Sequence, residues 1–165
     1  MSNRTSYKFI LCETRKECGV LDAPFKELDV GTKKHPSELF IRGYKKLFAL
    51  YGVTYTLQFR ILKARGEDTY RRLHVFIGIG EATQNLFGWY ICTDEEVMMT
   101  PQEWSGSQDP KDGYNRKKKS YLDRVLNQGG THELNASSVE LQLDIDFITD
   151  NESCSTPTMI IKDMH

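Results

Sequence analysis

The residues best suited to chemistry form one basic run. Tyr114-Asn-Arg116-Lys117-Lys118-Lys119-Ser-Tyr121 sets four consecutive cations between two aromatics. Near an anionic leaflet each such cation is worth about 1 kcal/mol, so the run supplies about 4 kcal/mol, weak alone but useful in an oligomer. On nucleic acid the same cations neutralise phosphates and make binding strongly salt-dependent. A secondary basic patch, Arg60, Lys63, Arg65, Arg71 and Arg72, brackets an expected hairpin loop and extends the first. A solubilising charge run and a nuclear-localisation signal are the other readings of residues 116–119.

Catalytic and cofactor motifs do not assemble. Gly78-Ile-Gly80-Glu-Ala-Thr83 follows a strand but has Thr where a dinucleotide fingerprint needs Gly or Ala, so it reads as a strand end or bulge. The phosphate-loop pattern G-x-x-x-x-G-K-[ST] does not occur. His35, His74, His132 and His165 are scattered, with no H-E-x-x-H pair and no Cys/His spacing for zinc. His74, out of phase with Leu73 and Val75, reads as a surface or interface residue, and Cys92 as a buried thiol. Asp144 and Asp146 share a strand face and could hold a cation or act as paired carboxylates, although a solvated acidic face is the simpler reading. The expectation is a protein with no catalytic residue, metal, cofactor or small-molecule substrate, and a small enzyme of unknown reaction is an alternative.

The elements that must position these residues are mostly strands. Val53, Tyr55, Leu57, Phe59 and Ile61 alternate with polar residues over 53–62, and Leu73, Val75, Ile77 and Ile79 share one face over 70–79. With the polar stretch Lys63 to Thr69 between them, they predict an antiparallel hairpin. Residues 86–93 and 139–147 are further strands, and 6–12 and 158–162 shorter ones. Helices are predicted at two places. Ser37 is a plausible N-cap for a stripe of Leu39, Phe40, Tyr44, Leu47, Phe48 and Tyr51 that ends at Gly52. Residues 115–128 carry a narrower stripe of Tyr121, Leu122, Val125 and Leu126. Its first turn holds Arg116 to Lys119, the wrong sign for a helix N-terminus, which hints at a use elsewhere. Residues 101–114 read as a flexible loop and 150–165 as a loosely ordered tail. With no βαβ alternation, the expected fold class is α+β. Its core would be an antiparallel or mixed β-sheet of about five or six strands with two main helices packed on it.

A length of 165 residues suits a single globular domain, residues 1–165, able to bury a core without staples. The formal net charge of −1 conceals an uneven distribution. Residues 1–72 hold 15 Lys+Arg against 8 Asp+Glu, and residues 73–165 hold 7 against 15, giving +7 and −8. Such halves can steer self-association or attract anionic partners. Dispersed cysteines fit a reducing compartment, and neither a secretory h-region nor a membrane-spanning apolar run is found. An intracellular, non-secreted protein is expected.

The late strand Val139-Glu-Leu-Gln-Leu-Asp-Ile-Asp-Phe-Ile-Thr-Asp-Asn-Glu-Ser153, together with the basic cluster and the chain length, resembles the small matrix proteins of rhabdovirus-type negative-strand RNA viruses. The resemblance implies a non-enzymatic structural protein that self-associates and bridges an anionic membrane and a ribonucleoprotein, in host cytoplasm or on the inner face of a virion envelope. The competing expectation is an RNA-binding accessory protein, such as a suppressor of host defence, whose aromatic and basic residues engage bases and phosphates.

Overall fold

Alternation with period two sends successive side chains to opposite faces of a strand, and this pattern organises the whole described part of the molecule. The computed structural model describes residues 1–23, 26–44, 53–79, 86–93, 95, 100, 130–136, 139–150 and 154–163. The strands are β1 (Ser2–Arg4), β2 (Tyr7–Cys18), β3 (Val20–Asp22), β4 (Glu27–Leu28), β5 (Ser37–Glu38) and β6 (Arg42–Tyr44). They continue as β7 (Val53–Lys63), β8 (Asp68–Ile79), β9 (Leu86–Thr93), β10 (Gly130–Ala136), β11 (Val139–Asp150) and β12 (Cys154–Asp163). Sheet I has the order β4-β2-β7-β8-β9, sheet II the order β10-β11-β12-β1-β5, and β3 pairs with β6 alone. Every pairing is antiparallel except that of β1 with β12.

One core joins the two sheets. Leu57, Val75 and Trp89 form one cross-strand row of sheet I, and Phe59, Leu73 and Ile91 the next. These residues belong to the same apolar cluster as Val139, Leu141, Met159 and Ile161 of sheet II. Full burial of such a side chain contributes about 1.5–3 kcal/mol, so the facing rows hold the sandwich closed. The other face of sheet I is closed as well, since Thr56, His74, Phe76 and Tyr90 have no solvent exposure. Burial on both faces accounts for the nearly continuous apolar run Leu73 to Ile79.

A corner clamp carries the chain from sheet II into sheet I. The buried Asn3 amide donates to the carbonyls of Tyr7 at 2.6 Å and Asp29 at 2.7 Å, while its oxygen accepts from the Thr5 amide and hydroxyl. Gly31 donates to the Thr5 carbonyl, and a Cβ there would collide with the Asn3 carbonyl oxygen, so this close approach requires glycine.

The α+β expectation is overturned: among the described residues every regular element is a strand and none is a helix. The helix predicted over 37–51 fails where the chain is described. Ser37–Glu38 pairs with Ser2 and Asn3, and Arg42–Tyr44 with β3. Leu39 is 1% exposed and its neighbour Phe40 is 66% exposed, the opposite sides of extended chain rather than one helical stripe. Backbone bonding to the distant strands β1 and β3 outweighs the local spacing. In place of one sheet covered by helices, two five-stranded sheets cover each other. The helix expected at 115–128 lies outside the described residues, and no described helix is long and apolar enough to cross a membrane.

Candidate functional site

The β7–β8 hairpin brings Arg60 and Arg72 of the secondary basic patch to one carboxylate, Asp68. Its turn is closed by the Gly66 amide donating to the Lys63 carbonyl and the Lys63 amide donating to the Glu67 carbonyl, both at 2.8 Å, with Gly66 at φ 88°. Beyond the turn the ladder slips. Leu62 pairs with Asp68 but Ile61 pairs with Arg71, leaving Thr69 and Tyr70 as extra residues in a bulge. The Thr69 hydroxyl donates to the Ile61 carbonyl at 2.7 Å, and the Tyr70 amide to Asp68 Oδ1 at 2.9 Å. These bonds hold Tyr70 at φ 55°, a region that L-residues other than Asn and Asp seldom adopt, and leave its ring 67% exposed.

Asp68 is the hub. Arg60 Nε and Nη2 donate to its Oδ2 at 2.7 and 2.5 Å, and Arg72 Nη1 lies 3.7 Å from Oδ1. Burial alone would raise its pKa, but the Arg60 hydrogen bond, the Tyr70 amide and the charges of Arg60 and Arg72 together hold the carboxyl below its ordinary value. Lys63 reaches Glu67 at 3.3 Å across open solvent, a pair of little energetic weight. Arg65 and Arg71 make no ion pair among the described residues. Five cations thus stand against two carboxylates, with an exposed aromatic among them.

The corner clamp adds charge that sequence spacing did not connect to this site. Tyr7 is opposite Lys63 in the ladder, and Asn3 ties Tyr7 to Asp29, so the loop carrying exposed Lys33, Lys34 and His35 leaves from the same corner. That loop is pinned by the His35 amide donating to Thr32 Oγ1 at 3.0 Å and the Thr32 amide donating to the His35 carbonyl at 2.9 Å. The signal was the run Lys33-Lys34-His35 between Gly31 and Pro36, but its place depends on a contact between distant segments. The run Tyr114, Arg116 to Lys119 and Tyr121 lies outside the described residues.

His74 and Cys92, unrelated by sequence spacing, do meet. His74 is opposite Gln58 and Tyr90 in the ladder. Its Nε2 lies 2.9 Å from Gln58 Nε2 and 3.4 Å from Cys92 Sγ, and its ring packs on Tyr90 with centroids 4.5 Å apart. His74 is fully buried, which corrects the expected surface position, while Cys92 at 4% exposure is the buried thiol that was expected. Closed from solvent, the pair fits a polar contact within the fold better than an exposed nucleophile. Asp144 lies in sheet II, its backbone opposite Thr131 and Ile160. Among the described residues no three His, Cys, Asp or Glu side chains converge as metal ligands.

No protein-family model matches the chain, and a search of curated proteins finds no match.

Proposed function

We propose that this is a non-enzymatic, matrix-like interaction protein that self-associates and presents its β7–β8 hairpin to an anionic membrane surface, bridging it to a ribonucleoprotein. The observation that carries the reading is Tyr70, held exposed at φ 55° in the bulge of a hairpin whose sequence also carries Lys63, Arg65 and Arg71. Backbone strain is kept where the surroundings over-determine it, and such positions cluster at ligand-contacting sites. An amphipathic ring flanked by cations suits a headgroup layer, where the ring reaches the acyl boundary and the cations meet phosphates. The solvent-closed His74–Cys92 pair supports a non-catalytic role.

The same exposed ring supports a second reading, RNA binding, because an aromatic flanked by cations can stack on an unpaired base. Flotation with phosphatidylserine vesicles against a gel shift on single-stranded RNA separates the two. The membrane reading expects binding that falls with salt. Replacing Arg65 and Arg71 by Gln removes about 2 kcal/mol, roughly a 30-fold loss of vesicle affinity. Vesicle binding unchanged in that double variant would overturn the proposed site.

A further inference from the structure

β2 and the segment that returns past it are tied at two points and part between them. Gly19, at φ 80°, turns the chain out of β2 into β3, which then pairs with β6 and not with β2. The two segments meet again where the Leu11 amide donates to the Lys26 carbonyl at 2.6 Å. Between these ties no strand pairing joins them among the described residues. On its other side β2 slips against β7: Leu11 pairs with Phe59 and Glu13 with Gln58, which leaves Cys12 as the extra residue of a bulge. Bulges re-aim side chains and are over-represented beside ligand-contacting sites. The Cys12 thiol is exposed and donates to the Ile10 carbonyl at 3.3 Å.

Where the segments part lies a cleft of about 360 Å³. That volume is at the lower end of the range of small-molecule sites, about 300–1,000 Å³. Leu11 lines it from β2, and Leu21 and Ala23 line it from the returning segment. All three belong to or pack against the core cluster, so the apolar lining is continuous with the core. Lys16 and Lys26 also line the cleft; both are exposed and make no ion pair among the described residues. Among the described lining residues the one carboxylate is Glu13, and Arg15 Nε holds it at 2.7 Å. The cleft thus combines an apolar lining with two uncompensated cations.

This combination narrows the class of ligand. A cation meets two like charges, and a polar neutral molecule loses hydration against Leu11, Leu21 and Ala23 without a charge to gain. An anionic head on an apolar body suits both parts of the lining. Two ammonium groups are point charges rather than planar forks, so they take a carboxylate or a phosphate head alike. At about 30 Å³ per water-sized group, the cleft holds about a dozen non-hydrogen atoms.

We propose that the cleft between β2 and the segment carrying Leu21, Ala23 and Lys26 binds a small amphipathic anion, a carboxylate or phosphate head on a short apolar chain. The chain lies against Leu11, Leu21 and Ala23, and the head is held by Lys16 and Lys26. None of these residues belongs to the β7–β8 hairpin, so the ligand site goes beyond the function proposed above and stands or falls apart from it.

Cys12 reports on occupancy, because its exposed thiol lines the cleft while Cys92 is buried. The test follows alkylation of Cys12 by iodoacetamide in the full chain, read by peptide mass, with octanoate or octyl phosphate added as monomers. Alkylation is expected to slow with occupancy by one or both anions, about threefold at twice the Kd, and the two arms distinguish the heads. Octan-1-ol, without the charge, should need about tenfold more for the same protection, and octylammonium should give none. Lys16→Gln/Lys26→Gln is expected to raise the half-protecting concentration of the anion about tenfold, with Cys92 still unmodified as the sign of an intact fold. The comparison of octanoate with octan-1-ol and octylammonium needs no variant, so a variant that unfolds leaves the proposal exposed to refutation. No protection by either anion, equal protection by octan-1-ol or octylammonium, or an unchanged half-protecting concentration in a folded Lys16→Gln/Lys26→Gln overturns it. No vesicle enters this assay, so its failure leaves the hairpin contact standing.

Discussion

Tyr70→Gly is expected to make the protein more stable and less able to bind. The residue sits at φ 55°, where a side chain costs roughly 1–2 kcal/mol relative to ordinary backbone. Glycine removes that cost but adds about 0.4–1 kcal/mol of unfolded-state freedom. Because the ring is 67% exposed, little burial is lost, and the amide bond to Asp68 Oδ1 is unaffected by side-chain removal. The balance is a gain of about 0.5–1 kcal/mol, or roughly 1–4 °C in melting temperature for a domain of this length. Tyr70→Asn should gain at least as much, since Asn tolerates the left-handed region without glycine's entropy. Urea unfolding with vesicle flotation on the same samples reads both effects. Affinity for phosphatidylserine vesicles should fall severalfold as stability rises. A Tyr70→Gly variant destabilised by about 1 kcal/mol or more would refute the reasoning, because the ring would then be packing rather than presented.

Two further predictions concern titration. Asp68→Asn leaves Arg60 and Arg72 side by side without their carboxylate and should cost about 1 kcal/mol at neutral pH, tempered by the exposure of Arg60. Since the Asp68 pKa lies below 3.8 in the folded protein, its stabilisation is present above that value and is lost as pH falls through the lowered one. The wild-type advantage in urea midpoint should therefore be constant from neutral pH to about pH 5 and close in stronger acid. Tyr55, 4% exposed, has its hydroxyl pKa pushed up to about 12 by burial. The unfolded chain ionises first, near 10, so wild-type stability should decline between pH 10 and 12. In Tyr55→Phe that decline should be reduced, and an equal decline in both proteins would show that Tyr55 is not its source.

The strands with strong alternation were legible, and the reason is local. Residues 86–93 are a strand with the expected bounds, and β7, β8, β11 and β12 begin or end only a few residues from expectation. β7 and β11 carry a period-two pattern within their own length, while β8 and β9 carry nearly continuous apolar or aromatic runs. What local spacing could not reveal was pairing. Ser37–Glu38 and Arg42–Tyr44 are strands because β1 and β3 bond to them, and nothing within 37–44 announces those partners. β10 was missed because Thr131-His-Glu-Leu-Asn135 has a single apolar residue, and it pairs nonetheless with β11 along its whole length. In the candidate site the basic residues were legible as charges bracketing a loop. The bulge that sets Asp68 against Arg60 and Arg72 and leaves Tyr70 exposed was not, because it depends on the offset between Ile61 and Leu62 in a neighbouring strand. The meeting of His74 with Cys92 was hidden for the same reason, since cross-strand register made it.

The parallel pairing of β1 with β12 also sets the order in which the molecule can be built. Ser2 is opposite Ile160, so β1 is synthesised well before β12 and waits for it before their parallel ladder can form. The strands of sheet I all lie between Tyr7 and Thr93, and successive hairpins link β7, β8 and β9. Chain-closure entropy favours near pairs over distant ones, so sheet I forms early and sheet II closes late. Through that interval the apolar face of sheet I, with Leu57, Phe59, Leu73 and Val75, has no second sheet to cover it. Aggregation during synthesis is then governed by how soon β11 and β12 arrive, and the polar, charged stretch between Thr100 and Gly130 lengthens that wait.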